Sequence, residues 1–553
     1  MGANENEISF DASASESGTV VNHEEGKPLK KSKLLLAVLY FGTFLGISDE
    51  FFVLTTSRQI AESFHQGAAG SWLFVGYNLG YSMALPIYGR LYEVLGQRKT
   101  FLIAYASYGV GCIVSGTPHE FYAIVAGRFL VGAGASDIAS IREVAVFRSH
   151  LMVVMLVGAV SGGPLGAILA GTIGWRWSFL VHIPFVVLCA IVVFFKLRPK
   201  NSQPAAETSS DEERNIEKKE ETPKAPRPPL DIPGIITLSC AILCFVILVE
   251  MLEDLDAVKR HIGLIVGLGV GFVVFTATFI SIEVFWAKNP VIPLHLLKTT
   301  QVGLVWGTTF FMQMGNYGFV ASIAPYFARV HGLTTIETGL CLGPTAVGAA
   351  AGSVLTGMLV KRSGKHRVWA IVGLSTALMS FALILPRWSL FEQHMWELFY
   401  SFFFSWGLGM TLSAQFVGLS ASTPEEYAAT SITSYYLFQQ AGTMIGITMT
   451  TVLQHLVFKE KLESTIGESP EDLKKIDHIL DNVDYSRSLP KPLLRAVNKD
   501  FRESYMVLIR MFPDLFTSSE KGPEYANRTI TVFVMATVAI SLLLVLRQKN
   551  ITI

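Results

Sequence analysis

Three charged side chains interrupt stretches that are otherwise apolar: Asp49 and Glu50 in one, Arg128 in another. On insertion scales a charge inside a lipid span costs about 2.5–3.5 kcal/mol, so each needs a physical reason. Neighbouring carboxylates in such a place can bind and release protons, because two adjacent negative charges compete for the ionised state. The structural alternative is that both reach water or cap the end of their span, since they fall near the outer end of the stretch as read. A guanidinium stays charged, so Arg128 requires a partner carboxylate or a wet cavity, and Asp49 is the candidate partner. No nucleophile–base pair, metal cluster, phosphate cradle or Walker loop occurs in the spans. The chemistry on offer is proton transfer coupled to movement. No enzyme activity, metal or cofactor is expected.

Two loops repeat. One reads Gly89-Arg90-Leu91-Tyr92-Glu93-Val94-Leu95-Gly96-Gln97-Arg98-Lys99, the other Gly357-Met358-Leu359-Val360-Lys361-Arg362-Ser363-Gly364-Lys365-His366-Arg367. In both, glycines stand seven positions apart and basic residues follow the second one. Gly89 and Gly357 suit close helix approach, Gly96 and Gly364 suit a tight turn, and the cations hold each loop in the cytoplasm. A further run, Gly158, Gly162, Gly163, Pro164 and Gly166, predicts a thin, bent helix: Pro164 removes a backbone bond while the glycines admit a neighbour. Such a helix serves as a hinge or simply as a close-packing surface.

The elements that must carry these residues are about fourteen apolar stretches, each near the 20 residues that a bilayer core of about 30 Å demands. They cover 34–54, 71–89, 101–116, 121–140, 151–172, 178–195, 234–252, 262–286, 301–323, 338–360, 368–386, 396–418, 431–455 and 529–546. Hydrophobic residues make up 51% of the chain and charged ones 16%, a balance that indicates a polytopic, all-α membrane protein. Clusters of Lys and Arg recur on one side of alternating spans, which predicts both ends in the cytoplasm. The expected organisation is a disordered cytoplasmic tail (1–33), a six-helix half (34–196), a polar cytoplasmic linker (197–230) and two further spans (231–287). A second six-helix half (288–547) and a short cytoplasmic tail (548–553) complete it. Within the second half, 456–528 forms a large outer loop whose helical periodicity predicts short surface helices. Asn527 is the sequon placed for glycosylation. Zero net charge speaks against a nucleic-acid partner, and the five cysteines, all in apolar segments, read as small hydrophobes.

The first of the repeated loops resembles the signature loop of the major facilitator superfamily. Gly158 to Gly166 resembles the glycine–proline motif of its antiporter branches. Trp175-Arg176-Trp177 with Phe179 and Pro184 is similar to the sixth span of fourteen-span drug:proton antiporters, and Gly127-Arg128-Phe129 through Gly132 and Gly134 resembles the fourth-span arginine motif. Ala428 to Gly446 resembles the fungal multidrug and vacuolar basic amino acid subgroup. The resemblance implies two six-helix halves plus two extra helices, embedded as a monomer in lipid. It implies a role for Arg128 in proton coupling, a hinge at Gly158–Gly166, and a gate network of Glu93, Arg98, Asp137 and Arg142. The implied activity is proton-coupled export of drugs, toxins or fungal metabolites across the plasma membrane, with vacuolar import of basic amino acids as the alternative. This sequence departs from the pattern in three places. Arg58 stands where relatives have proline, Glu93 replaces aspartate, and about ten fourth-span residues are missing before Ser136-Asp137. The fourth span must then borrow Ser136 to Ser140 and is expected to be short. That shortening leaves a non-transporting sensor on a transporter scaffold as the reading from another class.

Overall fold

The computed structural model describes residues 33–64, 66–139, 144–197, 232–251, 261–286, 296, 300–390, 395–424, 427–467, 469–481, 483–505 and 530–548. Arg142, Asn527, most of both tails and nearly all of the linker lie outside these residues, as do the side chains of Glu93 and Asp137. Among the described residues there are helices and turns but no strand, as lipid requires of a chain that must satisfy its own backbone hydrogen bonds. A helix covers each apolar stretch. In order they are α1 (Lys33–Glu62), α2 (Ser71–Leu95), α3 (Gln97–Gly116), α4 (Phe121–Ala139), α5 (Val144–Thr172), and α6 (Trp175–Leu180) running into α7 (His182–Lys196). Then come α8 (Ile232–Met251), α9 (Ile262–Ser281), α10 (Thr300–Val330), α11 (Thr335–Cys341), α12 (Gly343–Ser363), α13 (His366–Leu390), α14 (Phe399–Ser422) and α15 (Ala428–Ile466). The chain ends with α16 (Pro470–Asp481), α17 (Val483–Ser488), α18 (Lys491–Tyr505) and α19 (Ile530–Arg547). Seven of the described helical segments are long and apolar enough to cross a membrane by length and composition.

The packing repeats. In the first half α1 lies on α5 and α2 on α4; in the second, α10 lies on α15 and α12 on α14. Small residues make these pairs possible. Gly76 and Gly80 bring α2 onto the backbone of α4 at Val125 and Phe129, while Gly348 and Gly352 bring α12 onto α14 at Phe402 and Trp406. Helices in lipid associate by such close contact, since burial of apolar surface offers no drive there. α8 and α9 pack on each other, and α8 also touches α2 and α15, one from each half.

The repeated loops behave alike at one end of the bundle, the loop end. Gly96 (φ 78) and Gly364 (φ 65) both adopt the left-handed backbone that a side chain would strain. After Gly96, the Arg98 guanidinium lies 4.1 Å from the Phe194 ring centre near the end of α7. After Gly364, Arg367 donates to the Leu546 carbonyl at 2.5 Å, near the end of α19. Each loop therefore fastens to the last helix of its own half. Gly357 does not fit the expected role: a methyl there would find its nearest neighbour, Ser413 Oγ, at 3.9 Å, an ordinary contact rather than a close approach.

Several helices run past the ends read from the sequence, α1, α10 and α15 among them. α1 continues to Glu62, because Ser57, Arg58 and Gln59 end the apolar run without ending the helix, and no proline stands there to break it. Asp49 and Glu50 therefore lie near the middle of α1, not close to the outer end. α4 is continuous to Ala139, and its 19 residues reach about 28 Å at about 1.5 Å each, close to a hydrocarbon thickness.

At the end of the bundle away from the loops, residues 469–481 and 483–505 fold as a cap. Amphipathic α16 and α18 bury Ile476, Ile479, Leu480, Val497 and Phe501 in the core of the second half, with Phe458 and Leu462 from α15. Arg329, near the end of α10, is 5% exposed beneath this cap. Its guanidinium lies 4.8 Å from each of the Phe458 and Phe501 ring centres and donates to the Ile479 carbonyl at 3.0 Å. α16 also touches the short turn Gly67–Gly70 of the first half.

Candidate functional site

Asp49 and Arg128 meet between α1 and α4. Arg128 Nη1 stands 2.5 Å from Asp49 Oδ2, and both side chains are fully buried. Arg128 is aimed there by its surroundings. Its Nε donates to the Leu73 carbonyl of α2 at 3.4 Å, and its guanidinium lies 4.8 Å from the Tyr77 ring centre. Gly76 and Gly132 remove the side chains that would hold α2 and α4 apart at this level. A buried pair of this kind is costly to break, because either partner alone is an uncompensated charge in a low-dielectric setting. Asp49 Oδ1 and Arg128 Nη2 have no hydrogen-bond partner among the described residues, so the pair keeps spare polar capacity.

Glu50 is the next residue on α1 and points at the other half. Its Oε1 accepts a hydrogen bond from the Tyr317 hydroxyl of α10 at 3.4 Å. The Tyr317 ring packs against Phe74 of α2, 6.1 Å between centres. Two carboxylates and one guanidinium thus share the centre of the molecule, and with both acids ionised the cluster carries one excess negative charge. Asn78, one turn from Phe74, is buried and donates to the Phe74 carbonyl, while its Oδ1 has no partner among the described residues.

Aromatic residues gather in the second half. Trp306 of α10 stacks on Phe438 of α15 at 5.6 Å, Phe310 contacts both Phe438 and Phe311, and Tyr435 contacts Phe416 and Tyr436. Gln439 and Gln440 are half-buried beside this group, and their Oε1 atoms have no partner among the described residues. Gln415 reads as helix glue: it exchanges two hydrogen bonds with Gln548, at 2.9 and 3.2 Å.

The glycine–proline run sits on two contacts. Gly158, Gly162 and Gly166 face α1, where a methyl at Gly162 would lie 2.5 Å from the Ser48 carbonyl. Gly163 faces the second half, where a methyl would lie 3.2 Å from the Gly339 carbonyl. Pro164 lies inside a helix that continues to Thr172. Gly339 is set in place by a capping box at the start of α11, in which Thr334 and Glu337 satisfy each other's backbone N–H groups.

Of the remaining sequence-derived residues, Lys99 and Lys365 are exposed, and Arg98 stacks on an aromatic ring rather than marking a described carboxylate contact. Glu283, an acid at the end of the 262–286 stretch, is 6% exposed in the π-helical turn Ile282–Trp286. Tyr317 falls in the 301–323 stretch, where nothing in the spacing marks its contact with Glu50. Arg329 went unnoticed because α10 was expected to end at residue 323.

Residues 39–447 match the Major Facilitator Superfamily, and the chain belongs to that family: it is an integral membrane transporter. It is 24% identical over 479 residues to a Schizosaccharomyces pombe vacuolar membrane amino acid uptake transporter, fnx2, covering 84% of this chain and 79% of that protein. It is 23% identical to the Saccharomyces cerevisiae vacuolar basic amino acid transporter 1, over 78% of this chain and 79% of that protein. The MFS-type efflux pump LUC4 of a Fusarium species is also 23% identical, over 77% of this chain and 75% of the pump. A bacterial homologue of the human lysosomal transporter Spinster, solved facing inward and occupied, shares the fold with a TM-score of 0.56 at 14% identity. That match covers 92% of this chain and 96% of the bacterial one.

Proposed function

We propose that the chain is a proton-coupled secondary transporter that exports small organic molecules, with Asp49, Glu50 and Arg128 as its coupling residues. The observation that carries this reading is the fully buried Asp49–Arg128 pair with Glu50 beside it at the contact between halves. A cluster with more acid than base in a low-dielectric setting calls for a positive charge, and a proton is the smallest that can supply it. Fourteen crossings with both ends in the cytoplasm place the glycine loops inside and the helical cap outside. The two halves rock about the central cluster, while the loops Gly89–Lys99 and Gly357–Arg367, with Asp137 and Arg142, form the inner gate, and Gly158–Gly166 is the outer pivot.

A second reading has its own support. Two of the relatives named above are vacuolar transporters of amino acids or basic amino acids. An excess of acid at the centre suits a cationic cargo, so import of basic amino acids into the vacuole is the alternative. Proteoliposomes given an imposed pH gradient separate the two. The first reading expects gradient-dependent movement of amphiphilic organic compounds and none of lysine or arginine. Gradient-dependent movement of lysine or arginine favours the second, and movement independent of the gradient removes proton coupling from both.

A further inference from the structure

We infer that Tyr317 is a positioning residue through which the charge on Glu50 sets how tightly the two halves close; the inference rests on the proton-coupled reading above. The side chain comes from α10 in the second half, yet the first half grips it at both ends. Its hydroxyl donates to Glu50 of α1 at 3.4 Å, and its ring lies 6.1 Å from that of Phe74 on α2. The groups that face Glu50 are Asp49 on its own helix, Arg128 from α4, Tyr77 and Tyr81 from α2, and Tyr317 itself. Tyr436 of α15 faces Tyr81 in turn. Arg128 is committed to Asp49 at 2.5 Å, so the Glu50 hydrogen bond that spans the halves is the one to Tyr317.

A hydrogen bond to an ionised carboxylate is roughly twice as strong as one to a neutral acceptor. Deprotonated Glu50 therefore draws the Tyr317 hydroxyl in and holds α1 and α2 against α10. Protonation makes the carboxyl a weaker acceptor and gives it a proton of its own to donate elsewhere. The tie then slackens, and the halves part more easily. A proton delivered to the centre is converted into a change of contact between the two rocking units, with no side chain required to travel between them.

The test uses the full chain with native cysteines replaced and spin labels at Ser63→Cys and Ser464→Cys, exposed positions on the first and second halves. Tyr317→Phe removes the hydroxyl and leaves the ring against Phe74, and a melting curve checks that the fold persists. The label-to-label distance distribution of the parent protein changes with pH, and Tyr317→Phe moves the midpoint by about one pH unit, the size expected of a hydrogen bond to a charged group. In Glu50→Gln the distribution no longer depends on pH. An equally stable Tyr317→Phe protein that titrates with the parent midpoint overturns the inference, as does a parent distribution that ignores pH. If vesicle transport ignores the gradient while the distances still titrate through Tyr317, the transport reading falls and the tie stands.

Discussion

Among the described residues two arginines are buried, and they are held in different ways. Arg128 sits at the centre, fully enclosed, against a carboxylate at 2.5 Å and with one guanidinium nitrogen lacking a partner among the described residues. Arg329 sits near the far end, between the rings of Phe458 and Phe501, with the Ile479 carbonyl accepting from it close to the C-terminus of α16. The second arrangement joins elements: a planar cation stacks on two rings and meets the negative end of a helix, which pins the cap to α10. The first arrangement joins α1 to α4 but keeps polar capacity open beside a second acid. Stacking and helix-end contacts make structure, whereas an ion pair with an adjacent spare carboxylate makes a site that can change its charge.

The comparison is broken most severely by removing one partner of the central pair. Arg128→Ala leaves Asp49 buried and uncompensated, with an expected loss of about 3–5 kcal/mol, read as a lowered melting temperature of the purified protein. The double substitution Arg128→Leu with Asp49→Leu is expected to recover most of that stability while gradient-driven transport stays absent. Recovery of transport would place the pair among purely structural contacts. Phe501→Ala probes the other arginine. It opens a cavity beneath the cap, and about 3–5 kcal/mol of local stability is lost. The expected readout is new protease cleavage within residues 467–505, with gradient-driven transport retained.

A smaller effect sharpens the picture of the cap. Ser469 accepts from the Asp472 N–H at 3.2 Å and donates to its carboxylate at 2.6 Å, and Lys475 pairs with it at 3.2 Å. The Ser469 hydrogen bond, with help from Lys475, holds the Asp472 carboxyl below its ordinary value. A depressed value means that this contribution is fully present above the usual aspartate range near about 3.9 and fades as pH falls through the folded value. Protease protection of α16 should therefore persist at mildly acidic pH and weaken in strong acid. Ser469→Ala should weaken it slightly at every pH and flatten the acid-dependent part.

The sequence was informative wherever a pattern is local. Apolar runs marked the helices, and the spacing of Gly96 and Gly364 marked two turns that both need a positive φ. Helix ends were less legible, because polar residues such as Ser57, Arg58 and Gln59 end a hydrophobic run without ending a helix. That is why Asp49 and Glu50 moved to the middle of α1 and why Arg329 was missed beyond the expected end of α10. Contacts between halves were not legible at all. Nothing in the spacing around Tyr317 or Gly339 names Glu50 or Gly163 as a neighbour, since such pairs depend on how two separate bundles meet. Glu283 shows the same limit: an acid at the end of an apolar run reads as solvated until its surroundings are known.

The central claim is that the acid–base cluster on α1 and α4 joins proton movement to transport, with Glu50 as the member free to change its charge. Its most direct test is accumulation of a transported compound by proteoliposomes under an imposed pH gradient, parent protein beside Glu50→Gln, both checked for equal folding and insertion. The account predicts that gradient-driven accumulation falls to the protein-free background in Glu50→Gln. Accumulation at the parent level, with the same dependence on the gradient, would contradict it.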